Sequence, residues 1–244
     1  MSKVYGQFAI IAFVFAIVLG GSYPVIDAAR RQDKIDRDPE RLKMEDDAIN
    51  RRYAAAEKHP ELIDDFIAAG NQKAMLYLKK RDFNSAIDIY NKQLGATWGQ
   101  VKDAYNPRWV AANMRLAGVF RDQANWVTAK MLYNTILEQD SKYFPADDPK
   151  IGRDLNNLGL LEYLKGLSLE KQDERAKQFQ LAVDNYKKSL AISDKHPEGK
   201  TARAATFWNL YLAERDLGNK AEAEDARNQA RAIDKTMSRV CREP

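Results

Sequence analysis

The sequence predicts an all-α protein, and three observations support this fold class. Pro and Gly are sparse, at 8 and 12 of 244 residues. Long stretches are rich in Ala, Leu, Lys and Glu, which favour helices. No sustained alternation of apolar and polar residues indicates a β-strand. A combination of small and aromatic residues at helical spacing recurs along most of the chain, so we expect repeated helices rather than one irregular bundle.

The first element is an uncharged stretch over residues 4–26. As a helix it spans about 34 Å, enough to cross a bilayer core of roughly 30 Å. Tyr5 and Tyr23 lie where interfacial aromatic residues belong. We therefore predict one transmembrane helix over residues 4–26, with the lipid bilayer as a partner, and a polar linker over residues 27–39.

The alternative for this stretch is a cleaved signal peptide, and a buried core helix is a third interpretation. The strictly apolar core covers only residues 8–19, and residues 20–22 are small, as at a cleavage site. Lys3 precedes the stretch and Arg30 and Arg31 come after it, so basic residues leave the orientation open. Short N-terminal tails of this kind commonly direct export of the downstream domain. We therefore expect a single-pass protein whose C-terminal domain is extracytoplasmic, either periplasmic or lumenal.

The next elements share a four-residue signature. An aromatic residue lies three positions before a central alanine, a tyrosine four after it and a leucine eight after it. The central alanines are Ala86, Ala129 and Ala182. Offsets of three, four and eight stay in phase with a helix, so the four side chains share one helix face.

Each signature helix follows an upstream helix that also carries a small residue. Ala74 and Ala117 lie twelve positions before their central alanines, and Gly159 holds the corresponding place in the third unit. A fourth unit has its small residue at Ala223, but Arg227 replaces the aromatic residue. The sequence therefore predicts four helix pairs.

This arrangement resembles the tetratricopeptide repeat (TPR), in which paired antiparallel helices touch at small residues. The usual period is about 34 residues, whereas the central alanines here lie 43, 53 and 41 residues apart. That spacing is similar to the longer-helix repeats of kinesin light chain. The resemblance implies an α-solenoid over residues 40–237. Its parts are a half-repeat at 40–59 and units at about 60–98, 106–141, 149–194 and 197–237.

Two features depart from the repeat pattern. Lys73 stands where an apolar residue is expected in the first unit. The third unit carries about ten extra residues around positions 166–177. Ten or eleven residues make three helical turns, so either longer helices stay in phase or a polar loop is inserted.

The only two histidines lie in near-identical stretches, residues 57–61 and 194–198. Pro60 and Pro197 each precede a small alanine by 26 residues, at the same place in two units. Proline ends one helix and suits the first turn of the next. Pro107 and Pro149 have a similar position in the other units. We interpret both histidines as residues of helix joints, not as a metal or acid–base pair.

The residue inventory argues against catalysis and nucleic-acid binding. No sequence pattern indicates a nucleophile–His pair, a phosphate-binding loop or a metal site. Charges are interleaved, with nine basic and eight acidic residues over 30–58, whereas nucleic-acid binding needs a one-signed stripe. Cys241 is the single cysteine. We predict a protein that is not an enzyme and has no cofactor, no metal and no small-molecule substrate.

The resemblance also implies a concave surface, lined by the first helix of each pair, that binds a protein partner. In this repeat family an Asn just before the Leu-small pair often bonds a bound peptide's backbone, and the matching residues here are Asn157 and Asn209. Gln72 and Arg115 hold that place in the weaker units. The neighbouring candidates on the same face are Asn71, Met75, Met114, Arg121, Arg153, Asn156, Tyr163, Trp208, Leu212 and Arg215.

Each of these residues also has a structural interpretation. The amides of Asn157 and Asn209 can simply serve local packing, and Tyr163 and Trp208 can belong to the core. A further pair, Trp98 and Trp109, is more typical of loop anchors than of a cofactor site.

Three functions agree with these observations. The first is a membrane-anchored scaffold or adaptor that assembles a membrane complex. The second is an exported soluble protein, chaperone-like, that holds extended clients after signal cleavage. The third is a structural subunit that oligomerises through the same surfaces.

Overall fold

The computed structural model describes residues 38–98, 104–196 and 199–234, and within these ranges the ordered elements are helices. The predicted span over 4–26 lies outside the described residues. None of the described helices is long and apolar enough to span a bilayer. The helices are α1 (Pro39–Lys58), a 3₁₀ turn (Pro60–Leu62), α2 (Ile63–Lys79), α3 (Phe83–Trp98), α4 (Pro107–Asp122), α5 (Trp126–Tyr143), α6 (Pro149–Ser168), α7 (Gln172–Ser193), α8 (Lys200–Leu217) and α9 (Lys220–Ile233).

The chain divides into two compact units, residues 1–81 and 82–244. In the first unit α1 packs against α2, and in the second each of the helices α3 to α9 packs against the next. The division falls between α2 and α3, the two helices that the repeat pattern places together in the unit at 60–98.

Side-chain caps and prolines set several helix starts. Asn106 accepts a hydrogen bond from the Trp109 amide at 3.0 Å, and Asp148 accepts one from the Lys150 amide at 2.8 Å. Each cap is followed by a proline at the first helical position, where a missing N–H costs nothing. Pro60 similarly begins the 3₁₀ turn after α1. These local signals explain why prolines predicted the helix starts in this chain.

Small residues lie at close helix crossings. The central alanines Ala86, Ala129 and Ala182 are fully buried. A Cβ added to Gly159 would lie 2.6 Å from the Tyr186 ring, which requires α6 and α7 to approach closely at this point. The α6–α7 pair therefore touches at a small residue of the repeat pattern, as predicted.

The third helix pair accommodates its extra residues by lengthening. The helices α6 and α7 have 20 and 22 residues, against 16 and 18 for α4 and α5. Only residues 169–171 connect α6 to α7. Of the two alternatives, longer helices are correct and an inserted polar loop is not.

Lys73 is buried in the first unit, and the structure explains this departure from the repeat pattern. Its Nζ donates to Glu45 Oε2 at 2.9 Å and to the Leu42 carbonyl at 3.3 Å, and it lies 3.4 Å from Asp46. An acidic side of α1 therefore supplies the partners that a buried ammonium needs. The apolar residue expected at this position is replaced by an ion pair between helices.

Candidate functional site

Amide side chains join the first helices of successive pairs in the second unit. The Asn157 amide donates to the Met114 sulfur at 3.0 Å, linking α6 to α4. The Asn209 amide donates to the Asn156 oxygen at 3.2 Å, linking α8 to α6. All four side chains are half-buried. An amide nitrogen carries two hydrogens, so each donating amide retains one for a bound molecule.

The other predicted residues differ in exposure. Arg153 and Arg215 are exposed, and Arg115, Arg121 and Leu212 are half-buried. In the first unit Gln72 and Met75 are exposed and Asn71 is half-buried. The structure therefore brings together Met114, Asn156, Asn157 and Asn209 in one row, while the residues of α2 belong to the separate first unit.

Tyr163 and Trp208 are packing residues in this structure. Both are buried in a core cluster formed by α6, α7, α8 and α9. The Tyr163 hydroxyl donates to Asp216 at 2.8 Å, which satisfies its polar end. Burial raises the pKa of Tyr163 above its ordinary value, and the neighbouring Asp216 raises it further. Neither ring presents a free face to a partner.

A cleft of about 230 Å³ lies where the starts of α6 and α8 meet the end of α7. Its walls are mainly small side chains, including Gly152, Ser189, Ala202 and Ala205. Arg153, Asn156 and Arg203 also border it. The repeat pattern predicted Arg153 and Asn156 but not the rest of the lining. The small residues at the starts of α6 and α8 were the signal available in the sequence.

Acidic side chains hold the two arginines of the cleft. The Arg153 guanidinium donates to Asp140 and to Asp154, both at 2.8 Å, and Arg203 lies 2.5 Å from Asp194. Asp140 and Asp154 are completely buried, whereas Asp194 is exposed. Burial raises the pKa of Asp154 to about 7 although Arg153 acts to lower it.

The two histidines lie in separate units, each just after a helix. His59 follows α1 and its Nδ1 lies 3.2 Å from Glu61. His196 follows α7 and its Nε2 lies 2.8 Å from the Asp147 carbonyl oxygen. Within the described ranges, no group of three or more His, Cys, Asp or Glu side chains is arranged to hold a metal ion. The described site therefore offers amides, guanidinium groups and apolar walls, which suit binding.

Known proteins resemble this chain in fold. No family profile matches it, and no curated protein does. Two crystal structures of a kinesin light chain-like protein from Podosopora anserina, with nearly identical TPR-like repeats, are similar. One, a point variant, has a TM-score of 0.60 at 18% identity, covering 87% of this chain and 94% of that one. The other has a TM-score of 0.52 at 17% identity, covering 85% and 100%. The described residues therefore form a TPR-like helical repeat fold.

Proposed function

We propose that this protein is a membrane-anchored TPR-like scaffold, and that the first helices of its second unit bind a protein partner. The row of Met114, Asn156, Asn157 and Asn209 carries this proposal. These side chains connect α4, α6 and α8, and they remain half-exposed. Side-chain amides can hydrogen-bond the backbone of an extended segment whatever side chains that segment carries.

The cleft adds an apolar contact beside this row. Asn156 belongs to both the row and the cleft lining, so a segment lying along the amides can place a side chain among Gly152, Ala202 and Ala205. Binding energy in such interfaces concentrates in a few buried anchors. The amides would then position the segment, and the anchored side chain would supply most of the affinity.

The membrane anchor rests on the uncharged residues 4–26, and the orientation rests on the short N-terminal tail. Retention of the full chain in membranes after carbonate washing supports the anchor. Release into the supernatant, with a mature N-terminus beyond residue 20, supports the exported chaperone-like alternative. Protection of the C-terminal domain from protease added on the cytoplasmic side supports the extracytoplasmic orientation.

Site-specific cross-linking tests the binding surface. A photo-crosslinking amino acid at Met114 or Arg153 should capture a partner. The matched controls are Val127 and Met131, which are exposed on α5 and lie outside the row. One partner in constant ratio supports a scaffold, and many partners support a chaperone. Capture of the chain itself from the row positions supports the structural-subunit alternative. Equal capture from all four positions contradicts the proposed surface.

A further inference from the structure

Two buried carboxyl groups face one arginine where α5 packs against α6. Asp140 lies in the last turn of α5 and Asp154 in the second turn of α6, and both are at most 1% exposed. One nitrogen of Arg153, Nη2, lies 2.8 Å from an oxygen of each carboxyl group, so the two groups lie close together around it. If both buried carboxyl groups are ionised, they and the exposed Arg153 together carry a net charge of minus one, and an excess negative charge on buried groups is costly.

One oxygen of each carboxyl group lacks a hydrogen-bond donor within the described ranges. Asp140 Oδ1 and Asp154 Oδ2 are buried and have no hydrogen-bond donor among the described residues. Tyr105 lies near the pair, since burial raises the pKa of its hydroxyl and the neighbouring Asp140 raises it further. A buried acceptor without a donor is expensive, and a proton on one carboxyl group would satisfy both.

The equivalent joint between α7 and α8 lacks this feature. Thr206 lies four residues before Leu210, as Asp154 lies four residues before Leu158. The Thr206 hydroxyl donates to the Ala202 carbonyl oxygen at 3.0 Å. Arg203 faces the single exposed carboxylate of Asp194 there. Among its described residues, the joint between α7 and α8 therefore has no counterpart of the second buried carboxyl group of the α5–α6 joint.

We propose that Asp140 and Asp154 share one proton in the folded protein, and that this proton locks α5 onto α6. The protonated carboxyl group donates to the ionised one, and Arg153 then balances the single remaining negative charge. Across the cleft, Arg203 of α8 is paired with Asp194, and His196 after α7 contacts the Asp147 carbonyl oxygen. Lys150, in the first turn of α6, lies 3.8 Å from Asp148. Loss of the proton leaves two anions on one cation and weakens the joint.

Because Arg153 borders the cleft, the joint also sets the position of one cleft wall. A proton at this site therefore makes the geometry of the cleft dependent on pH. This lock is a property of the fold and does not require that the cleft bind a partner.

The test is an NMR titration of the full chain in detergent micelles, with ¹³C-labelled aspartate side-chain carboxyl carbons. One carboxyl resonance should titrate near pH 7, with a matching inflection at a second resonance from its partner. Asp154→Asn should abolish both inflections, because the amide supplies the donor permanently. Asp194→Asn is the matched control and should leave both unchanged. The proposal is overturned if every aspartate of the wild type titrates below about pH 5.

A second variant and a second measurement distinguish loss of the shared proton from misfolding of the variant. Asp140→Asn should also abolish the shared titration, and circular dichroism checks that each variant is helical. Hydrogen exchange, corrected for intrinsic rates, should show faster opening of α5 and α6 at pH 8.5 than at pH 6 in the wild type. Asp154→Asn should remove that difference. An unchanged difference in Asp154→Asn contradicts the lock even if the titration is seen.

Discussion

The two units of this protein bury charges of opposite sign between their helices. In the first unit the buried partner is a cation, since Lys73 is 4% exposed whereas Glu45 and Asp46 are 33% and 42% exposed. In the second unit the buried partner is an anion, since Glu162 is 3% exposed and its partner Lys130 is 48% exposed. The same repeat architecture thus accepts either sign, provided that a partner reaches it from the adjacent helix.

The order of charges along the helices is also reversed. In the first unit, α1 places Glu45 before Arg52, and α2 places Asp65 before Lys73. In the second unit, α5 places Lys130 before Asp140, and α6 places Arg153 before Glu162. The α7–α8 pair has the same charge order as α5 and α6. Lys187 of α7 pairs with Glu214 of α8, and Asp194 at the end of α7 pairs with Arg203 of α8.

This reversal affects how helix pairs recognise each other. A helix pair from the second unit that packed in place of one from the first would bring like charges together, which is destabilising. We therefore expect the charge order to disfavour mismatched helix neighbours.

The largest expected effect comes from removing the two carboxylates that pair with the buried cation of the first unit. The double variant Glu45→Gln and Asp46→Asn leaves the Lys73 ammonium buried without a counter-charge and should lower the free energy of unfolding by about 3 kcal/mol. Urea unfolding monitored by hydrogen exchange in α1 and α2 measures it. The matched variant Lys73→Met removes the buried charge and should be neutral or stabilising. A large loss from Lys73→Met would show that the ion pair itself, not the cost of burying an unpaired charge, stabilises this unit.

In the second unit, removing the cation of a pair should destabilise more than removing the anion. Lys130→Met leaves the Glu162 carboxylate buried and unpaired and should cost about 2 kcal/mol. Glu162→Gln should cost less, because the Lys130 side chain can return to solvent. Lys187→Met and Glu214→Gln repeat the comparison at the joint between α7 and α8. Equal losses within each pair would contradict the view that burial of the anion decides the outcome.

The response to pH should separate the two units. Burial opposes ionisation of Glu45, but hydrogen bonds from Lys73 and Arg41 outweigh it and lower the Glu45 pKa. A lowered pKa stabilises the first unit above the ordinary glutamate value of about 4.3, and this stability is lost as pH falls through the folded-state pKa.

The contribution of Asp154 to stability depends on pH in the opposite direction to that of Glu45. The folded-state pKa of Asp154 is raised to about 7, so its contribution is fully present below the ordinary aspartate value of about 3.9 and is lost as pH rises toward 7. The slope is at most about 1.4 kcal/mol per pH unit. Local unfolding measured by hydrogen exchange should therefore begin in the first unit on acidification and at the joint between α5 and α6 on alkalinisation. Loss of both units at one pH limit would contradict this.

The smallest effect concerns the backbone and should be the same in both units. Arg81 and Ala124 follow first helices with φ of 59° and 58°, a left-handed conformation that costs a residue with a Cβ roughly 1 kcal/mol. Arg81→Gly and Ala124→Gly should each stabilise by up to about 1 kcal/mol, measured by thermal unfolding. Gly218, with φ of 89°, has the same role after α8, and Gly218→Ala should destabilise by a similar amount. Destabilisation by both glycine variants would show that the greater freedom of the unfolded chain outweighs the relieved strain.

Much of the fold could be predicted because its signals are local. The capping residues Asn106 and Asp148 each precede a proline that starts a helix. The spacing around Ala129 and Ala182 identifies one helix face without any knowledge of its partner. The candidate site was predicted in part for the same reason. Asn157 and Asn209 occupy a fixed offset within their helices, so the repeat pattern could place them on the first-helix face.

What the sequence determined alone was the placement of helices and the small residues at which they touch, since both depend on neighbours within a few turns. Only the tertiary structure decided that Lys73 lies among acids of α1, that Asp140 approaches Asp154, and that Asn156 borders a cleft. Each of these contacts joins residues on different helices. Their electrostatic cost or gain depends on burial and distance across a helix interface, and neither quantity is encoded in the spacing along one helix.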